Sequence, residues 1–208
     1  MALTKIIGQG IGTLGSGAEA DAKIVFDGNA QDFYVGLDDS SDILAIGNGS
    51  DVGASRAIIV DANGIIRQSQ QPSFLVQPST AQNNVGHGSQ IVVVFDTERF
   101  DVGSNFASNT FTAPVTGKYL LNFALFVVAI DNAPSYFETY IVTSNRSYYN
   151  TIDPRGFDQD PTYWTFTNCV VADMDANDTA SIQFNIHNGG TVQSDIQNYS
   201  HFSGYLLG

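Results

Sequence analysis

Apolar and polar positions recur at strand spacing along most of this chain, and no long stretch follows the 3.6-residue period of a helix. The longest apolar run is 117–130, GKYLLNFALFVVAI, bounded by Pro114 and Gly117 before it and by Asp131, Asn132 and Pro134 after it. Successive side chains of a strand point to opposite faces of the sheet, so parity divides the run. Tyr119, Leu121, Phe123, Leu125 and Val127 share one face, and Leu120, Asn122, Ala124, Phe126 and Val128 share the other. Both faces are apolar, which predicts a strand covered on two sides. The first set is expected to fill a sandwich core. Leu120, Ala124, Phe126 and Val128 are expected to meet a neighbouring subunit.

Other segments sort by the same rule. In 182–187, Ile182, Phe184 and Ile186 alternate with Gln183, Asn185 and His187, the pattern of a sheet with one face in water. In 163–172, Trp164, Phe166, Val170 and Ala172 lie on one side and Tyr163, Cys169 and Val171 on the other, again predicting two covered faces. Cys169, within this run, reads as a small buried hydrophobe.

Three regions follow from the turn chemistry. Residues 1–20 are Gly-rich and read as an extended arm that takes its order from a neighbour. Residues 21–70 hold short runs at 22–26, 32–37, 42–46 and 57–66 separated by Gly, Asn and Asp clusters, with Asp61-Ala62-Asn63-Gly64 as a hairpin turn. Eleven of the 20 glycines fall before residue 71, so the core there is thin and an oligomeric stalk or collar is expected. The polar stretch RQSQQP closes this region. From residue 72 to 208, strands are predicted at 73–77, 90–95, 109–113, 117–130, 135–143, 162–172, 179–187 and 199–207. Eight strands in that length give an all-β fold of the jelly-roll β-sandwich type.

Composition narrows the function. Charged residues make up only 14% of the 208, and the formal net charge is −13. Phosphate binding needs clustered Lys and Arg, so no nucleic-acid partner is expected. The amino terminus lacks an apolar run suited to a signal peptide and nothing later is long enough to span a bilayer, so synthesis in a cytoplasm without membrane insertion is expected. A single cysteine precludes an intrachain disulfide.

Several residues carry a family resemblance. Phe95 is followed by Asp101 six positions on and Phe106 five further, and Phe111, Gly117, Tyr119 and Phe123 continue the pattern; the chain ends HFSGYLLG. This set resembles the signature of the globular head of the complement first-component subunit q, whose jelly roll is shared with tumour necrosis factor. It departs in two places: Phe106 and Phe111 stand two residues closer than usual, and Leu121 replaces a Phe. The resemblance spans 72–208 and implies a compact homotrimer built from inner sheets about a threefold axis, a binding and assembly module and not an enzyme. The opening MALTKIIGQGIGTL and the run FDGNAQDFYVGLDDSSDILAIGNGS are similar to segments of tailed-bacteriophage fibre and head-surface proteins.

Candidate chemistry is sparse. Gly10-x-Gly12-x-x-Gly15 matches a dinucleotide fingerprint but lacks the strand-to-helix junction that such a site requires. Asp173, Asp175 and Asp178 begin like a calcium loop, yet its sixth and twelfth positions are Asp178 and Phe184 in place of Gly and Glu. A looser calcium site there, or at Asp38, Asp39 and Asp42, stays open; no other cofactor is expected. His87, His187 and His201 are dispersed. The segment 144–162 reads as a long loop whose Arg146, Tyr148, Tyr149 and Arg155 suit recognition of a glycan or protein, or contact with the next subunit.

These readings converge on a structural homotrimer at a virion surface. The expected partners are its own copies and, through the amino-terminal region, a major capsid protein, as a cement or head-fibre protein. The alternatives are a tail-fibre protein joined to a tail adaptor and touching a host-surface glycan or protein, and a bacterial glycan-binding or adhesion trimer. The short chain favours the capsid.

Overall fold

A computed structural model describes residues 14, 15, 17–53, 55–86 and 88–208. The arm expected at 1–20 and the fingerprint at 10–15 fall largely outside these residues, and His87 lies outside them too. The fold is all-β, and the chain divides into two compact units, Met1–Gln71 and Pro72–Gly208. Among the described residues no helix is long and apolar enough to cross a membrane.

The first unit is an antiparallel meander of β1 (Ala22–Phe26), β2 (Phe33–Asp38), β3 (Ile43–Asn48), β4 (Arg56–Val60) and β5 (Ile66–Gln68), paired in that order. Asp61 makes the last turn: its carboxylate accepts from Asn63 N and Ile65 N, and its carbonyl accepts from Gly64 N. Register puts Ile24, Val35, Ile46 and Ile58 in one row across the sheet and Leu37, Leu44, Val60 and Ile66 in the next, all on one face. The opposite face carries Tyr34, Asp38, Ile43, Ala45 and Ile59, which are buried. There Tyr34 donates its hydroxyl to the Val52 carbonyl, 2.9 Å away, and Arg56 pairs with Asp38.

The second unit comprises β6 (Ser73–Gln77), β7 (Gln82–Gly86), β8 (Ile91–Val92), β9 (Thr97–Val102), β10 (Phe106–Ala107), β11 (Thr110–Thr112), β12 (Gly117–Val128), β13 (Tyr136–Thr143), β14 (Ser147–Ile152), β15 (Tyr163–Met174), β16 (Thr179–His187), β17 (Gln193–Ile196) and β18 (His201–Leu206). Two antiparallel sheets form. One runs β7-β17-β12-β18-β6-β9 with β15 also on β12, and the other β10-β11-β16-β13-β14 with β8 on β16. Their inner faces make one core in which Tyr119, Leu121, Leu125 and Val127 meet Phe137, Ile141, Ile182, Phe184 and Ile186, all fully buried. The parity split of 117–130 and of 182–187 thus holds on the core side.

The signature residues have identifiable physical roles in this core. Phe74 stacks on Phe106 and Phe111 at ring distances of 5.3 and 4.7 Å and meets Phe202 edge-on at 4.9 Å. Asp101 accepts from Asn105 N at 3.1 Å and from Phe106 N at 2.8 Å, holding the loop that delivers Phe106. The short spacing from Phe106 to Phe111 closes as a two-residue hairpin, with Ser108 and Asn109 at φ 50° and 65°, the left-handed pair of a type I′ turn. Gly204 lies against the same rings: a Cβ there would stand 2.5 Å from Phe74 and 2.9 Å from Leu121.

Some sequence expectations are corrected. The strand at 90–95 shrinks to Ile91–Val92, and short strands at 82–86, 97–102, 106–107 and 193–196 were hidden because their polar residues satisfy no strict alternation. The loop expected over 144–162 contains strand β14, paired with β13 from Phe137↔Ile152 to Val142↔Ser147. Cys169 is exposed on the isolated chain, because its parity in β15 points it away from the core.

One core position is frustrated. The Thr139 hydroxyl is fully buried and finds no hydrogen-bond partner among the described residues. Replacing an unpaired buried hydroxyl by a methyl removes a desolvation penalty of about 1 kcal/mol. Thr139→Val is therefore expected to raise the thermal midpoint of the head, measured by differential scanning calorimetry.

Candidate functional site: the outer face of the long-strand sheet

The site is set by the register of β12. It pairs with β15 over its full length, from Gly117↔Met174 to Val128↔Tyr163, and with β18 from Tyr119↔Leu206 to Ala124↔His201. Every second residue of these strands therefore faces away from the core in aligned rows. One row runs Phe100, Leu75, Ser203, Asn122 and Cys169, and the next brings Tyr205, Leu120 and Val171 together. Ala124 lies between His201 and Thr167, and Phe126 faces Thr165.

These rows are apolar or neutral. Leu120, Ala124, Phe126 and Val128 are half-buried, and Phe100, Val171 and Tyr205 are exposed. Asn122 donates to the Ser203 hydroxyl at 2.8 Å, so the polar pair at the centre is already partnered. The Phe126 ring lies 5.7 Å from Tyr163 and 6.1 Å from Tyr199. Beside it, Ala124, Phe126, Thr165, Tyr199 and His201 line a shallow apolar depression of about 400 Å³. The four residues expected at a subunit interface thus share one face. Parity alone did not supply Leu75, Phe100, Tyr199 or Tyr205, which reach the patch from other segments.

The other sheet turns a different face outward. Glu138 pairs with His187 at 2.8 Å and accepts from the Thr151 hydroxyl at 3.1 Å and from Tyr140, and Asn185 reaches His187 at 2.8 Å. Burial and the adjacent Glu138 carboxylate push the Tyr140 phenol well above its ordinary range. This polar face suits water. The β12 face, uncharged in its central rows, leaves apolar area exposed among the described residues.

The remaining candidates are dispersed. Arg146 binds Asp173 at 2.9 Å, and Arg155 forms a two-pronged pair with Asp153, whose carboxyl its hydrogen bonds hold down to about 2. Tyr148 packs on the core from β14, and Tyr149 is exposed on the opposite parity. Arg146, Tyr148 and Tyr149 lie on the β13–β14 hairpin, and Arg155 lies beyond β14. The candidate calcium carboxylates are engaged with protein donors: Asp178 accepts from Asn145 and from Asp175 N, and Asp175 accepts from Thr116. Asp38 is held below its usual range by the Ser40 hydroxyl first and by Arg56 as well. Among the described residues no group of three or more His, Cys, Asp or Glu side chains is gathered to hold a metal ion.

His201 carries a pH dependence. Burial lowers its pKa below 6.5, so the unfolded chain binds the proton more readily than the folded one. Stability from this residue is intact above about pH 6.5 and is lost as the pH falls towards the folded value. Denaturant midpoints measured from pH 8 to 5 should fall less steeply for His201→Gln than for the native chain.

The sequence comparisons bear on the second unit. The C1q domain family pattern matches residues 73–207. No curated protein matches the chain. Among solved structures, the globular domain of zebrafish complement 1qA is similar at 16% identity, covering 66% of this chain and 98% of that one with a TM-score of 0.48. Murine APRIL is similar at 10% identity, covering 66% of this chain and 99% of that one, also with a TM-score of 0.48. With the signature residues in the core and the match extending over most of its length, the chain belongs to the C1q domain family.

Proposed function

We propose that this protein is a homotrimeric structural component of a tailed-bacteriophage particle surface, decorating the capsid as a cement or head-fibre protein. The observation that carries the reading is the apolar, neutral outer face of the β12 sheet, whose central rows hold no fixed charge while the chain as a whole carries −13. A surface of that kind is stabilised by a copy of itself, and it resembles the charge-depleted core of a protein interface. C1q and tumour-necrosis-factor-like domains form trimers in homologues and are typically binding or structural domains. The placement on a phage is supported by the likeness of 1–14 and 26–50 to fibre and head-surface segments. In this reading the first unit docks on the major capsid protein.

The role is mechanical. Three heads joined through their β12 sheets give three first units a common anchor, and a shell contact repeated three times is held far more tightly than a single one.

Light scattering should return the mass of three chains. Phe126→Asp places a charge in the joined faces and should reduce the mass to that of one chain. Cys169 reports the same contact without altering it: its thiol should react with a maleimide about tenfold or more slowly in the trimer than in the Phe126→Asp chain. Immunogold labelling of particles should mark the shell. Label confined to the tail tip would replace decoration with the tail-fibre role.

A further inference from the structure

The meander of the first unit has its larger apolar side outward. Among the described residues its inward side buries a small set of apolar side chains, Tyr34, Ile43, Ala45, Val52 and Ile59. On the outward side Ile24, Phe33, Leu37, Leu44, Ile46 and Ile58 stand 36–52% exposed, and Phe26 and Ile66 at the margins are more exposed still. Register aligns these residues across five strands on a single face whose paired positions are uncharged; Arg56 follows a bulge, pairs with Gly47 and binds Asp38 on the opposite face. A five-stranded sheet with so small a core is marginal unless its second face is covered.

We propose that this face packs against the same face of the other copies in the trimer, forming a second, separate interface that closes the first units into a collar. This rests on the trimer reading above. Three features point to a second copy as the occupant. The paired positions of the face are uncharged, so it is complementary to itself, and juxtaposing copies buries no unpaired charge. Eight large apolar side chains of the face are each more than a third exposed, the kind of contiguous patch that marks an interaction surface. The chain itself supplies the third: the sheet is tethered to the head through Gln71 and Pro72, so joining three heads holds three such faces at an effective concentration of about millimolar or more. About a threefold axis each face meets both neighbours, and the row of Val35, Ile46 and Ile58 lies at its centre.

The test uses the full chain. Ile46→Cys in a Cys169→Ser background places one thiol at the centre of the face, and Ser50→Cys in the same background gives an exposed reference. Maleimide rates are measured alongside the mass of each sample, with and without Phe126→Asp. In trimeric samples the thiol at position 46 should react about tenfold or more slowly than the one at 50, and in monomeric samples the two rates should converge. A thiol at 46 that reacts freely in a trimer would overturn the collar while leaving the head interface, reported separately by native Cys169, intact. Protection that persists in a monomer would also overturn it, since a segment of the same chain then covers the face. A native chain that scatters as a monomer would remove both readings together.

Discussion

A β-strand offers its side chains to two faces, and one that is apolar on both cannot be satisfied by a single core. β12 is such a strand, and much of the head is arranged to cover its inner side. The second sheet supplies Phe137, Ile141, Phe184 and Ile186 to cover Tyr119, Leu121, Phe123 and Leu125. Because β15 and β18 flank β12 in continuous register, they extend its outer face sideways into one broad, largely apolar surface. Core and outer surface are therefore two sides of one element. A register slip of one residue would exchange them.

Signature residues help this arrangement close. Phe106, Phe111 and Phe202 pack on Phe74, and Gly204 leaves the space that their rings occupy. Asp101 contributes no apolar area. It ties down two backbone N–H groups so that the loop can bring Phe106 inward. The close spacing of Phe106 and Phe111 is absorbed by Ser108 and Asn109 in a tight turn, so it shortens a hairpin and leaves the aromatic cluster intact.

The first unit repeats the same imbalance more severely. Its buried side is held by Tyr34, Val52 and the Arg56–Asp38 pair, while its broader apolar rows look outward. Both units thus present a sheet face with uncharged central rows within a chain of strongly negative charge. Mutual repulsion between copies is carried by turns and margins, away from the surfaces at which apolar contact is available.

Periodicity was enough to locate the long strands and to assign both faces of 117–128 and 182–187, because apolar parity is a local property and survives without knowledge of neighbours. The aromatic spacing and the HFSGYLL terminus likewise identified the fold, since each of those residues is required by a close contact within one core. Short strands such as 193–196 were not legible, because their hydrogen bonds come from partners far away in sequence, as Ser194 does from Val85. The loop at 144–162 misled for the same reason: its polar tyrosines and asparagines sit at a sheet edge, where pairing with β13 makes a strand that composition does not announce. Only tertiary structure aligned Leu75, Phe100, Cys169 and Tyr205 beside β12 as one surface, and only it turned Cys169 outward. Which residues share a strand face is written in the order of the chain, whereas which strands lie side by side is decided by long-range pairing.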